Sequence, residues 1–277
     1  MPGRDRAVCH RGAGDDRVRR GPHCCVSRCP RRAAGRSPPS VGREEGAGMP
    51  TASVNGIEIN YKLEGDGPET IVLINGLADD LETWVLQMDD LLGAGYRVLR
   101  FDNRGVGQTS APPGPYTSRV MADDAKALVD AIGISGFHLL GTSMGGMIAQ
   151  EYAINHGSDL KSATFSSTYA APGPFCSRMF SMWHDMAGLP MSVDAYLAQL
   201  SVIQTHDTTD RLAAIQGFPV LVMAGEEDIL IPVRLSKRLQ EGIPGAEWKT
   251  SEGGHACMWE HPATFNRTYL GWLADHA

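Results

Sequence analysis

The chain has 277 residues, 42% of them hydrophobic, with a formal charge of -7, enough apolar sequence for one large α/β domain with a sizeable core. That charge is split: residues 1–48 hold eleven Arg against five acidic residues, a net of +6, leaving 14 basic and 27 acidic residues, a net of -13, in the remainder. So acidic a body excludes nucleic acid and anionic membrane as partners of its bulk surface, and no run of about 18 apolar residues offers a spanning helix.

Residues 1–48 are rich in Arg, Gly and Pro, poor in apolar residues, and follow neither the helical nor the strand period. A segment of this composition cannot bury enough surface to offset its ordering entropy, so disorder is expected. No apolar stretch follows its basic residues, as a secretory or twin-Arg signal requires, and a transit peptide would hold more serine and less acid. Cys9, His10, His23, Cys24, Cys25 and Cys29 match no common zinc spacing. Met49 is the expected start, with the preceding residues upstream sequence read as protein. Only Cys176 and Cys257 remain in the body, too few for a disulfide framework, and a reducing cytoplasm is the expected compartment.

From Thr51 the pattern becomes regular. Ala52–Asn55 and Ile57–Leu63 alternate around Asn55-Gly56, a two-residue hairpin signal. Thr70–Ile74 is a continuous apolar strand ending in Asn75-Gly76-Leu77-Ala78, followed by a helix holding Trp84, Leu86, Met88, Leu91 and Leu92. Tyr96–Phe101 is a strand ending in Asp102-Asn103-Arg104-Gly105, and Thr117–Ile132 reads as a helix. Strands follow at Phe137–Leu140, Leu160–Phe165, Phe218–Met223 and Ala246–Thr250. Pro232 is placed to open one late helix, and Pro262–Ala274 forms the last. After the hairpin, strands and helices alternate, which predicts a mostly parallel sheet covered by helices on both faces.

The chemistry centres on Gly141-Thr142-Ser143-Met144-Gly145, between a buried strand and a helix carrying Met147, Ile148, Tyr152 and Ile154. Strand, sharp turn and helix turn a bare G-x-S-x-G into a nucleophile elbow, its glycines letting strand and helix nearly touch. Without that chemistry the segment is a Gly-Ser turn that links strand to helix. A serine hydroxyl attacks at neutral pH only if a base takes its proton and a third group orients that base. Asp228 follows the strand before Gly225-Glu226-Glu227, and His255 sits in Gly253-Gly254-His255 beyond the last strand. Glu226 and Glu227 compete with Asp228 but read as solvent-facing. His261 and His138 compete with His255 but read as a helix start and a strand position.

These pieces, with Asn75-Gly76-Leu77, Asp102-Asn103-Arg104-Gly105 and Glu260-His261-Pro262, resemble the α/β-hydrolase superfamily from about Val54 to the C-terminus. Within it the chain is similar to the small esterase and enol-lactonase branch, such as 3-oxoadipate enol-lactonase. The resemblance implies an α/β-hydrolase fold: a mostly parallel eight-stranded sheet with helices on both faces and a short helical lid. Residues 49–277 form that domain, and its lid is inserted at about 167–215. It further implies a catalytic triad of Ser143, Asp228 and His255, and an oxyanion hole from the backbone N–H groups of Leu77 and Met144. Asn75 stands where the family often has histidine, a change expected to alter only local hydrogen bonding. Arg104 reads as a tether for its loop ahead of a substrate contact, and Cys257 as a small buried hydrophobe.

The lid region holds Tyr169, Phe175, Met179, Phe180, Met182, Trp183, Met186, Met191, Tyr196 and Leu197, with an abrupt Gly188-Leu189-Pro190 join. Such residues either pack the lid on the core or wall an apolar site; Trp84, Phe180 and Trp183 are the candidate substrate contacts. The reading is a serine hydrolase of a small-molecule carboxylic ester or lactone, acting without metal or organic cofactor. An acyltransferase, a C–C bond hydrolase, a perhydrolase and a non-catalytic ligand-binding protein remain as alternatives on the same fold.

Overall fold

The computed structural model describes residues 50–173, 176 and 191–276. The expectations for residues 1–48 and Met49 lie outside the described residues. Asn55 and Gly56 both take positive φ, 48° and 77°, and turn β1 (Thr51–Val54) back along β2 (Ile57–Glu64). β2 also pairs antiparallel with β4 (Tyr96–Phe101). Every later pairing is parallel, through β3 (Glu69–Ile74), β5 (Phe137–Thr142), β6 (Leu160–Ser166), β7 (Val220–Gly225) and β8 (Glu247–Ser251). The eight strands run in the order β1-β2-β4-β3-β5-β6-β7-β8. β5 therefore lies in the middle of the sheet, where its C-terminal end is flanked by β3 and β6.

The period of two along the strands sorts side chains into two cores. Val72, Ile74 and Leu139 face one, with α2 (Ser118–Ala131), α3 (Met144–His156) and α5 (Val233–Gly242) against them. Ile71, Leu73 and Leu140 face the other, against α1 (Val85–Gly93), the short α6 (Cys257–Glu260) and the C-terminal α7 (Pro262–His276). Each fully buried aliphatic side chain contributes about 1.5–3 kcal/mol relative to an exposed one, so a one-residue register slip would destroy both cores together. Among the described residues of 167–215 are α4 (Val193–Thr205) and a 3₁₀ segment, Thr209–Ala214. No helix among the described residues is long and apolar enough to cross a membrane.

Among the boundaries that differ from the sequence reading, two have a plain backbone reason. β7 starts at Val220, two residues late, because Pro219 has no N–H for the ladder and only its carbonyl pairs, with Ala163 N–H at 3.0 Å. Pro232 sits one position before the helix as its cap, and its carbonyl accepts from Leu235 N–H at 2.7 Å.

Candidate active site

Ser143 stands between β5 and α3 with φ 55° and ψ -119°, a left-handed backbone that costs a non-glycine residue roughly 1–3 kcal/mol. Close packing holds it there. A Cβ on Gly141 would lie 2.2 Å from the Gly145 carbonyl oxygen, so the strand end and the first helical turn touch without side chains between them. Ser143 N–H donates to the Ser166 carbonyl at 2.9 Å, tying the turn to β6.

The ends of β7 and β8 deliver the partners. Asp228 is buried, and its Oδ1 accepts from the N–H groups of Leu230 at 3.0 Å and Ile231 at 2.8 Å. Its Oδ2 lies 2.9 Å from Nδ1 of His255, whose Nε2 lies 3.0 Å from Ser143 Oγ. An ionised carboxylate only accepts, so Nδ1 carries the imidazole hydrogen and the Nε2 lone pair faces the serine hydroxyl. The loop bearing His255 is fixed by Gly254 N–H donating to Glu260 Oε2 at 2.6 Å and by Glu227 N–H donating to the Gly253 carbonyl at 2.9 Å. Glu226 and Glu227 are exposed. His138 is buried against Ser162 Oγ at 2.8 Å, and burial lowers its pKa, while His261 is exposed beside Glu252.

Met144 is the first residue of α3, where an N–H has no intrahelical acceptor. The loop carrying Leu77 presses on the same turn: a Cβ on Gly76 would lie 3.5 Å from Ser143 Cβ. That loop is held by polar contacts. The buried Asn75 donates to the Phe101 carbonyl at 2.9 Å and the Asp79 carbonyl at 3.2 Å, and its carbonyl accepts from Asn103 Nδ2 at 3.1 Å. Ala78, at φ 62°, donates its N–H to Gln199 Oε1 at 2.9 Å, and Gln199 Nε2 donates to the Arg104 carbonyl at 2.9 Å. Gln199 of α4 thus bridges two site loops, a role its place in an apolar helix did not advertise. Arg104 itself forms a two-pronged pair with buried Asp124 and covers the Tyr116 ring, which makes it a tether.

One candidate is misplaced. Trp84 does not face the cleft: it is fully buried, and its Nε1 donates to Asn75 Oδ1 at 2.7 Å. The 3₁₀ turn Leu81–Trp84 that precedes α1 swings the indole beneath the Asn75 loop, where it supports that loop from behind. Phe180 and Trp183 lie outside the described residues, as do Phe175, Met179, Met182, Met186 and Gly188-Leu189-Pro190. Of the lid residues described, Tyr169 and Tyr196 are buried in the core, and the Tyr169 hydroxyl donates to the Ile203 carbonyl at 2.7 Å. Cys257 is buried, and burial pushes its thiol up to about 11. Among the described residues no group of three or more His, Cys, Asp or Glu is arranged to hold a metal ion.

Asp79 is a site feature that the sequence reading passed over. A Cβ on Gly76 would meet its Oδ2 at 2.8 Å, so the carboxyl and Ser143 flank one small space. Desolvation, only partly offset by attraction to His255 and by the Gly76 N–H, pushes its pKa from 3.8 up to about 6. The folded chain therefore holds this proton more tightly than the unfolded chain, and ionising the group removes stability as pH rises from about 4 to above 6. Asp79→Asn is expected to raise stability at pH 8, by up to about 2–3 kcal/mol, and to change little at pH 4. Thermal melts at the two pH values check this, and equal shifts at both would refute it.

A serine on the turn after the fifth strand of such a sheet, with helices on both faces, defines the α/β-hydrolase class of fold. The chain belongs to the α/β-hydrolase family. The sequence model of that family, described as the alpha/beta hydrolase fold, matches residues 69–188. A protein of Pseudomonas savastanoi pv. phaseolicola bearing the name carbamate hydrolase RutD is 30% identical over 258 residues, 78% of this chain and 97% of that one. Its namesake in Caulobacter segnis is 28% identical over 269 residues, 81% of this chain and 99% of that one. Among solved structures, the enol-lactonase of Burkholderia xenovorans LB400 superposes with a TM-score of 0.74 at 26% identity, covering 81% of this chain and all of that one.

Proposed function

We propose that this chain hydrolyses a carboxylic ester or lactone through an acyl-enzyme on Ser143. The observation that carries the reading is the unbroken relay Asp228 Oδ2–His255 Nδ1, 2.9 Å, and His255 Nε2–Ser143 Oγ, 3.0 Å, beyond the ends of β7, β8 and β5. His255 Nε2 takes the hydroxyl proton as Ser143 Oγ bonds to the carbonyl carbon. Asp228 stays ionised and stabilises the imidazolium. The N–H groups of Leu77 and Met144 receive the developing oxyanion, each such donor contributing about 10²–10³ in rate. The imidazolium returns its proton to the leaving alkoxide. Water, deprotonated by His255, then attacks the acyl carbon and releases Ser143.

A carbamate, the class named in the RutD relatives, offers the same kind of carbonyl to this relay and is the second reading. Acid-quenching the full chain during turnover of p-nitrophenyl butyrate and mapping the product by mass spectrometry tests the central intermediate. A butyryl group on the peptide bearing Ser143 is expected. Steady release of p-nitrophenol with the acyl group on another residue would reject the reading.

A further inference from the structure

Asp79 is attracted by His255 but, among the described residues, has no cationic side chain paired with it. Among the described residues no side chain forms an ion pair or hydrogen bond with its carboxyl, and its acceptor role is met by the Gly76 N–H alone. Asp80, the next residue, is occupied differently: its Oδ1 accepts from Glu82 N–H at 2.9 Å and caps the 3₁₀ turn. A Cβ built on Gly76 would lie 2.8 Å from the Asp79 Oδ2 and 3.5 Å from Ser143 Cβ, so the carboxyl and the serine stand on either side of Gly76, within about 6 Å of each other. A carbonyl attacked by Ser143 Oγ therefore carries its nearer substituents within a few ångströms of this carboxyl.

A carboxyl in that position is costly when ionised and unpaired, and burial does raise its pKa to about 6. Above that pH it stands as a negative charge, with His255 the titratable group of the relay that attracts it and Asp80 the neighbour that repels it. A substrate carrying positive charge near its carbonyl supplies the missing partner. One carrying a carboxylate adds repulsion at short range, in a site where water screens poorly.

We propose that Asp79 sets the charge specificity of the site, selecting esters that bear an ammonium or similar cationic centre near the scissile carbonyl and rejecting anionic ones. This rests on the ester-hydrolase reading above and deepens it by naming the substrate class.

Two isosteric pairs test it, each differing only in nitrogen cation against neutral carbon. One is acetylcholine against dimethylbutyl acetate; the other is the methyl ester of trimethylammoniobutyrate against its neutral carbon isostere. With the full chain near pH 8, kcat/KM for the cationic member is expected to exceed its isostere by about tenfold in at least one pair. Asp79→Asn, and Asp79→Ser as a second variant should the first fold poorly, are expected to bring that ratio close to one. Asp80→Asn removes the same formal charge one residue along and is expected to leave the ratio within about twofold. A ratio near one in the wild-type protein, or one that survives both Asp79 substitutions, overturns the proposal. In the latter case the acidic body as a whole attracts the cation. Cationic esters left untouched while p-nitrophenyl butyrate is hydrolysed overturn the proposal alone. If p-nitrophenyl butyrate is also untouched, or is turned over equally by Ser143→Ala, the hydrolase reading falls and takes the proposal with it.

Discussion

Ser143→Ala is expected to lower kcat on p-nitrophenyl butyrate by about 10⁴–10⁶-fold while leaving the melting temperature unchanged or raised. The loss follows from chemistry rather than geometry. Without Oγ there is no atom to form the acyl intermediate, and His255 Nε2 is left 3.0 Å from a vanished partner. Residual hydrolysis then comes from water activated by His255 and from the oxyanion donors. The stability expectation follows from the backbone: Ser143 is held at φ 55° by its neighbours, and alanine bears about the same strain there. On the proposed mechanism the relay acts as a unit, so Ser143→Ala combined with His255→Ala should be hardly worse than Ser143→Ala alone. Multiplicative losses in the double variant would show that the two side chains act separately, and an active single variant would remove Ser143 from the chemistry.

The parts legible in the sequence share one property: they sit where a strand ends and a turn residue fixes direction. Ser143 and Asp228 each follow an apolar strand by a few residues and His255 follows the more polar β8, and the parallel topology gathers these strand ends at one edge of the sheet. The hairpin at Asn55-Gly56 was legible because its positive φ values demand those residue types. What stayed hidden depends on rotation about a chain axis. Trp84 fits a helical period, but a 3₁₀ turn advances about 120° per residue against 100° in an α-helix. That difference decides whether an indole faces the cleft or lies beneath Asn75. Asp79 and Asp80 look alike in sequence; Asp80 caps the turn, and the Asp79 carboxyl lies over Gly76. Gln199 lies among apolar residues of α4, and its bridge from Ala78 to Arg104 joins loops about a hundred residues upstream. No local pattern encodes such a contact.

Gly145→Ala separates helix propensity from close packing, and the two make opposite forecasts. Within α3, exchanging glycine for alanine favours the helix by about 1 kcal/mol. The new Cβ, however, would stand 2.1 Å from the Ile74 carbonyl oxygen and 2.6 Å from that of Asn75. Both are backbone atoms at the end of β3, a strand paired on both sides, so neither can swing away as a side chain would. Overpacking against fixed atoms costs about 1–3 kcal/mol or more, which exceeds the propensity gain. Relief requires α3 to back away from the Asn75–Leu77 loop, and that motion separates the N–H of Met144 from the N–H of Leu77. Gly145→Ala is therefore expected to lose about 2 kcal/mol or more of stability, and at least 10²-fold in kcat through the two proposed oxyanion donors. Gly271→Ala in α7 is the control, because a Cβ there meets nothing within 4 Å; it is expected to stabilise by about 0.5–1 kcal/mol with activity unchanged. Denaturant melts and p-nitrophenyl butyrate kinetics on both variants decide the matter. If Gly145→Ala matched Gly271→Ala in stability and kept its rate, the loop and helix would not be locked together, and the two N–H groups would owe their alignment to something other than this contact.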